Sequence, residues 1–184
     1  MVATPGLTAI RDLAEARRVH VDESLSALKH VRRFAGSIVD VGSGGGAPGI
    51  PLAAALPERE VTLLEANRRK CEFLEEVARE FPNVRVVWGR AEEQPVESYG
   101  VAVAKALATP PVAAEWCLPL VRTGGAVVLW VGPSADRDAV ARVAQRIGGG
   151  APEDRDGLLV IPKLEPTPAG FPRRTGVARK RPLA

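Results

Sequence analysis

The ten residues Asp40-Val41-Gly42-Ser43-Gly44-Gly45-Gly46-Ala47-Pro48-Gly49 constrain this chain more than any other segment. They follow an apolar run, Ser37-Ile38-Val39, with the character of a buried parallel strand. They precede Ile50-Pro51-Leu52-Ala53-Ala54-Ala55-Leu56, which reads as a helix. A strand, a glycine loop and a helix in that order gather backbone N–H groups and a helix N-terminus around a bound nucleotide.

Two ligands compete for such a loop, beside the plainer reading of a glycine-rich turn that binds nothing. Gly42-x-Gly44-x-x-Ala47 satisfies the dinucleotide pattern, whose third position tolerates Ala. That pattern serves a pyrophosphate, and an acid at the strand end, Asp40, works against an anion. Pro48 and Pro51 also remove N–H donors that a pyrophosphate would use. S-adenosylmethionine suits Asp40 better, because it carries an ammonium, a sulfonium and an adenosine but no phosphate. The methyl donor is therefore favoured over a dinucleotide.

Beyond the loop, strands and helices alternate. Residues 60–65, 84–88, 99–104, 126–131 and 158–161 read as strands. Helices are expected from Asn67 as cap to about Glu80, from Pro110 to Val121, and from Ser134 as cap to Ile147, where Gly148-Gly149-Gly150 stops the chain. Residues 7–33 carry Leu7, Ile10, Leu13, Leu25, Leu28 and Val31 at helical spacings. Such alternation implies a mostly parallel sheet with helices on both faces. The Pro-rich stretch from Pro162 to Pro172 reads as a loop that packs on the body through Phe171.

The 184 residues suit one domain, and 46% hydrophobic content suffices for its core. Met1-Val2-Ala3-Thr4-Pro5-Gly6 lacks signal-peptide architecture and no run approaches a membrane span, so a cytoplasmic setting is expected. Cys71 and Cys117 have no metal-type spacing and read as packing residues; no metal is expected. The net charge of +3 is uneven: residues 163–184 carry +5 and the remainder −2. A basic end suits either a polyanionic partner or a solvated tail.

In a doubly wound sheet the ligand lies beyond the carboxyl ends of the strands. The candidates for donor contact are therefore the residues that close each strand. Asp40, Gly42, Gly44, Gly46 and Ala47 close the first. Glu65 closes the second, where an acid accepts both ribose hydroxyls. Ala91 and Glu92, after the third, are placed to read the adenine edge. Lys105 closes the fourth, near where donor and acceptor must meet, and is the candidate catalytic residue. His20 and His30 both precede the first strand, and no Ser–His–Asp set or P-loop lysine is visible. A transfer needing no general base suits this inventory. Methylation of guanine N7, which has a lone pair and no proton, is such a reaction, driven by proximity and orientation.

Four segments resemble the bacterial small-subunit ribosomal RNA guanine-N7 methyltransferases, the RsmG or GidB family. His20-Val21-Asp22-Glu23-Ser24-Leu25 is similar to the family's His-x-x-Asp-Ser-Leu element. Ile38 to Leu52 is similar to its glycine loop, including the Pro-Gly-Ile-Pro-Leu tail. Arg90-Ala91-Glu92-Glu93 resembles its adenine loop, and Thr167-Pro168 through Phe171-Pro172-Arg173-Arg174-Thr175-Gly176 to Lys180-Arg181-Pro182-Leu183 its C-terminal signature. The resemblance implies a Rossmann-like class I S-adenosylmethionine-dependent methyltransferase fold, an α/β architecture with a mostly parallel seven-stranded sheet and helices on both faces. It implies donor contacts at Gly42, Ala47, Ala91 and Glu92, and places Lys105 where the family has Arg. Val131-Gly132 stands where members have Lys-Gly, so the chain reads as a shortened, divergent member.

The expected organisation is a short N-terminal helical segment, residues 1–34, and a methyltransferase domain, residues 35–184, ending in a basic segment. Arg173, Arg174, Arg179, Lys180 and Arg181 are expected to contact phosphates of ribosomal RNA or the small ribosomal subunit. A monomer is expected, with no membrane partner. The alternatives are a cofactor- or RNA-binding module without catalysis, a small-molecule methyltransferase, and a nicotinamide oxidoreductase.

Overall fold

The computed structural model describes residue 10 and residues 12–184. Leu7, counted above in the N-terminal helical pattern, lies outside the described residues. Seven strands form one sheet: β1 (Ile38–Val41), β2 (Val61–Glu65), β3 (Val84–Trp88), β4 (Tyr99–Ala104), β5 (Val121–Trp130), β6 (Glu153–Arg155) and β7 (Leu158–Pro162). Their order is β3-β2-β1-β4-β5-β7-β6. β1 to β5 pair in parallel, β7 is antiparallel to β5, and β6 is antiparallel to β7. The chain order reverses between β1 and β4, which opens a crevice at the carboxyl ends of these two strands.

The helical elements are α1 (Leu13–Arg17), α2 (Glu23–Leu25), α3 (Leu28–Val31), α4 (Gly49–Ala55), α5 (Arg68–Ala78), α6 (Pro110–Cys117), α7 (Arg137–Arg146) and α8 (Val177–Lys180). A π-helical turn, Arg18–Asp22, joins α1 to α2. The expected continuous N-terminal helix is therefore interrupted. Near its breaks the hydroxyls of Ser24 and Ser26 donate to the carbonyls of His20 and Glu23, both at 2.7 Å.

Side-chain alternation along the strands feeds two cores. Ile38, Leu63, Val101, Val103 and Val128 share one with Leu52 and Ala53 of α4 and with Ala27 and Val31. Val39, Val41, Ala102, Ala104 and Leu129 share the other with Ala113 and Cys117 of α6 and Val140 and Val143 of α7. Asn67 caps α5, its side chain accepting from Arg69 and Lys70 N–H, as its position implied. Asp136, not Ser134, caps α7, accepting Ala139 N–H at 2.8 Å. Phe171 packs on the second core, as expected of the Pro-rich stretch. No helix among the described residues is long and apolar enough to cross a membrane.

Candidate active site

β1 ends by turning its backbone through Gly42, Gly44 and Gly46, all at positive φ. A Cβ at Gly42 would lie 2.4 Å from Leu107 Cδ1, and one at Gly49 would lie 2.3 Å from Leu63 Cδ2 and 2.7 Å from Asp40 Oδ2. The glycines thus allow a tight turn, and close packing of α4 on the sheet, that side chains would block.

Strand alternation places Asp40 on the α4 side with Ile38, not in the crevice. It is 1% exposed, and its Oδ2 accepts Gly49 N–H at 2.9 Å while Oδ1 is buried without a partner. Burial pushes its carboxyl up to about 7, against the downward pull of the Gly49 hydrogen bond. The expected direct contact between Asp40 and a cationic ligand is therefore corrected: Asp40 ties the start of α4 to β1.

Glu65 does reach the crevice. Its Oε2 accepts Gly44 N–H at 2.9 Å and its Oε1 accepts Asn67 N–H at 2.8 Å, so loop and helix orient the carboxylate from two sides. The cavity here, of about 360 Å³, is lined by Gly42, Glu65, Ala91 and Glu92 among the expected residues. Gly44, Gly46 and Ala47 are not part of the lining. Gly44 N–H is engaged by Glu65, and Gly46 N–H donates to Ser43 O at 2.7 Å. They shape the loop.

Among the lining residues that sequence reasoning did not place here are Lys70, Leu107 and Trp116, and Arg179, expected to contact RNA phosphates, lines this cavity instead. Trp116 comes from the middle of α6, with no local signal, and its indole N–H is buried without a partner. Arg179 reaches the cavity because the C-terminal segment folds back over it. Gly176 N–H donates to Glu92 Oε1 at 3.0 Å, and Thr175 Oγ1 donates to Glu93 Oε1 at 3.1 Å. Arg173 forms a bidentate pair with Glu115, at 2.5 and 2.6 Å, and also donates to Arg181 O at 2.9 Å. Glu115 is 3% exposed, so Arg173 is an internal anchor and not a free phosphate contact. Lys163, counted with the basic end, is also internal: 1% exposed, with Nζ donating to Ile147 O at 2.7 Å and Thr167 Oγ1 at 2.8 Å. Burial lowers its ammonium to about 8. Arg174, Arg179, Lys180 and Arg181 are exposed.

Lys105 does not line this cavity. Its Nζ donates to Val19 O and lies 2.9 Å from Glu23 Oε2. Ala104 is buried in the sheet and Ala106 stands at φ +55°, so the chain leaves β4 with Lys105 turned toward the N-terminal segment. Trp130 Nε1 donates to Glu23 O at 2.8 Å and holds the same segment against β5. The expectation that Lys105 enters the donor crevice is corrected: it lines a neighbouring cavity with Glu23, Trp130 and Val131.

A parallel sheet with an antiparallel β7, a glycine turn after β1, a bonded acid after β2 and a cavity over the topological switch define the Rossmann-like class of methyltransferase folds. Two solved structures have a similar fold, each with a TM-score of 0.65 at 15% identity over 89% of this chain. One is a geranyl diphosphate methyltransferase in complex with SAM, matched over 94% of its chain, and the other a SAM-dependent O-methyltransferase from Thermotoga maritima, matched over 73%. The chain belongs to the GidB family, rRNA small subunit methyltransferase G, whose model matches residues 3–147. Its relatives include ribosomal RNA small subunit methyltransferase G of Pelotomaculum thermopropionicum, 40% identical over 96% of this chain and 82% of that one. The protein of the same name from Thermotoga neapolitana is 37% identical over 96% of this chain and 84% of that one.

Proposed function

We propose that this chain transfers the methyl group of S-adenosylmethionine to N7 of a guanine in small-subunit ribosomal RNA. The observation that carries the reading is the doubly bonded Glu65 carboxylate facing a cavity over the switch between β1 and β4, in a chain of this family.

The cavity fits the donor on its own chemistry. Glu65 is fixed by two backbone N–H groups and keeps lone pairs for a pair of ribose hydroxyls. Ala91 and Glu92 line the same cavity and are the candidates for an adenine edge, and Trp116 adds an aromatic surface to it. Gly42 and Leu107 line it too. Ala47 shapes the loop, and Asp40 supports it from below. When bound, S-adenosylmethionine supplies an electrophilic methyl whose carbon passes to the N7 lone pair while sulfur keeps the electrons of the broken bond, so positive charge moves to the purine and no proton changes hands. The protein's task is then to hold two partners in line and exclude competing water.

Exposed Arg174, Lys180 and Arg181, on the same C-terminal segment as the cavity-lining Arg179, supply the phosphate contacts. The short helices within residues 13–31 serve as an N-terminal segment on a methyltransferase domain formed by 35–184. We propose a monomer acting in the cytoplasm.

Incubation with isotopically labelled donor and unmodified small-subunit RNA, followed by mapping of the label, tests the reading. A single 7-methylguanine is expected. Label on an exocyclic amine or a ribose, or donor binding without transfer, would overturn it.

A further inference from the structure

The donor cavity accounts for one partner of the transfer and leaves the choice of acceptor base unassigned. A second cavity, of about 710 Å³, opens on the other side of Ala106, and Ala106 lines both. Reacting atoms must approach to about 3–3.5 Å, and a single shared alanine between two cavities is where such an approach is available. Ala106 also holds a left-handed φ of +55°, a conformation costly for a residue with a side chain and one that gathers at functional sites.

The polar groups of the second cavity form a short ordered row. Glu23 comes from α2 and is 38% exposed at its side chain; Arg18 Nη1 lies 3.0 Å from its Oε1. Its other oxygen, Oε2, meets Lys105 Nζ at 2.9 Å, and the Lys105 side chain is 15% exposed. Ala106 follows in the chain and leads into the donor cavity. Trp130 and Val131 supply an apolar wall. The row therefore reads carboxylate, ammonium, shared wall.

Guanine presents a matching row along one side: N2–H and N1–H as donors, then O6 and N7 as acceptors. Resting on the function proposed above, we infer that Glu23 and Lys105 read the acceptor guanine. Glu23 accepts from N1–H and N2–H, Lys105 donates to O6, and N7 faces Ala106 and the donor. Arg18 holds the second carboxylate oxygen. Adenine offers the opposite pattern, an acceptor at N1 and a donor at N6, and so meets Glu23 acceptor to acceptor and Lys105 donor to donor. The pair that latches the N-terminal segment in the free protein is thus the recognition pair in the complex. Lys105 positions the base.

The test uses the full chain and a small-subunit RNA fragment carrying guanosine, or inosine, at the nucleotide identified by label mapping. Inosine keeps O6, N1–H and N7 and lacks only the N2 amine. With the wild-type protein, kcat/KM is expected to fall about tenfold on inosine, the loss of one charge-assisted hydrogen bond. In Glu23→Ala, kcat/KM on guanosine is expected to fall about 100-fold and the guanosine-to-inosine ratio to collapse toward one. Glu23→Asp should restore discrimination, and donor affinity by calorimetry should stay within twofold of wild type in both variants. A preserved ratio in Glu23→Ala, as a latch without base contact would give, overturns the inference alone, as does a loss confined to donor binding. Failure of the wild-type protein to methylate N7 in either RNA removes the proposed function and this assignment with it.

Discussion

Glu65 and Asp40 lie on adjacent strands and on the same side of the sheet, yet their depth differs: Asp40 sits opposite Leu63, buried under the start of α4, while Glu65 closes β2 two residues further on and borders the cavity. At Glu65 the carboxylate is already satisfied by Gly44 and Asn67 N–H, and remains open to the cavity. On the ribose role proposed for it, replacing it by Ala removes a charge-assisted contact to the donor and frees the loop that frames it. Donor affinity by calorimetry should fall by about 1–3 kcal/mol; wild-type affinity in a folded Glu65→Ala variant would contradict the ribose assignment. At Asp40 the consequence is for stability. A carboxyl raised from 3.8 to about 7 binds its proton more tightly in the folded chain than in the unfolded one. Its contribution is therefore full below about pH 4, declines as pH rises toward 7, and is level above that, with an amplitude on the order of 4 kcal/mol. Urea midpoints from pH 4 to 8 should fall more steeply for wild type than for Asp40→Asn. Parallel profiles would show that Asp40 titrates normally.

Among the elements, the C-terminal segment differs most from its appearance in sequence. Read as a basic run, it is in the fold a strap: Arg173 anchors it to Glu115 on α6, Gly176 fastens it to Glu92, and α8 brings Arg179 to the cavity. Arg173→Ala strands a buried carboxylate and should cost about 3 kcal/mol in urea unfolding, with a parallel loss of donor affinity as Glu92 and Arg179 lose their support. The double variant Arg173→Met, Glu115→Gln should recover most of the stability. An unchanged unfolding midpoint in the single variant would mean that the strap is not tied there. The strands around the glycine loop were legible because each is an apolar run bounded by turn residues. β6 was not, since Glu153-Asp154-Arg155 has no apolar alternation and lies at the sheet edge. Its one local signal was Asp156-Gly157, both at positive φ, a two-residue turn suited to a tight hairpin.

Over the whole molecule, charge separates from function in a way that composition alone hides. Of the six basic residues in 163–184, Lys163 is buried, Arg173 is half-buried and paired with Glu115, and Arg179 lines the cavity. That leaves Arg174, Lys180 and Arg181 for phosphates. Their joint replacement by Gln should reduce the slope of log affinity against log salt for small-subunit RNA by about 2, without changing donor binding. An unaltered slope would place the phosphate contacts elsewhere. The sequence by itself determined the alternating α/β class, the glycine turn and the acid closing β2, because these depend on local periodicity, on backbone freedom and on position along a strand. Only the tertiary structure decided that Asp40 points away from the ligand, that Lys105 meets Glu23 across more than eighty residues, and that Arg173 is an anchor. The reason is physical: which face a side chain takes and which distant group neutralises its charge are set by how the layers pack.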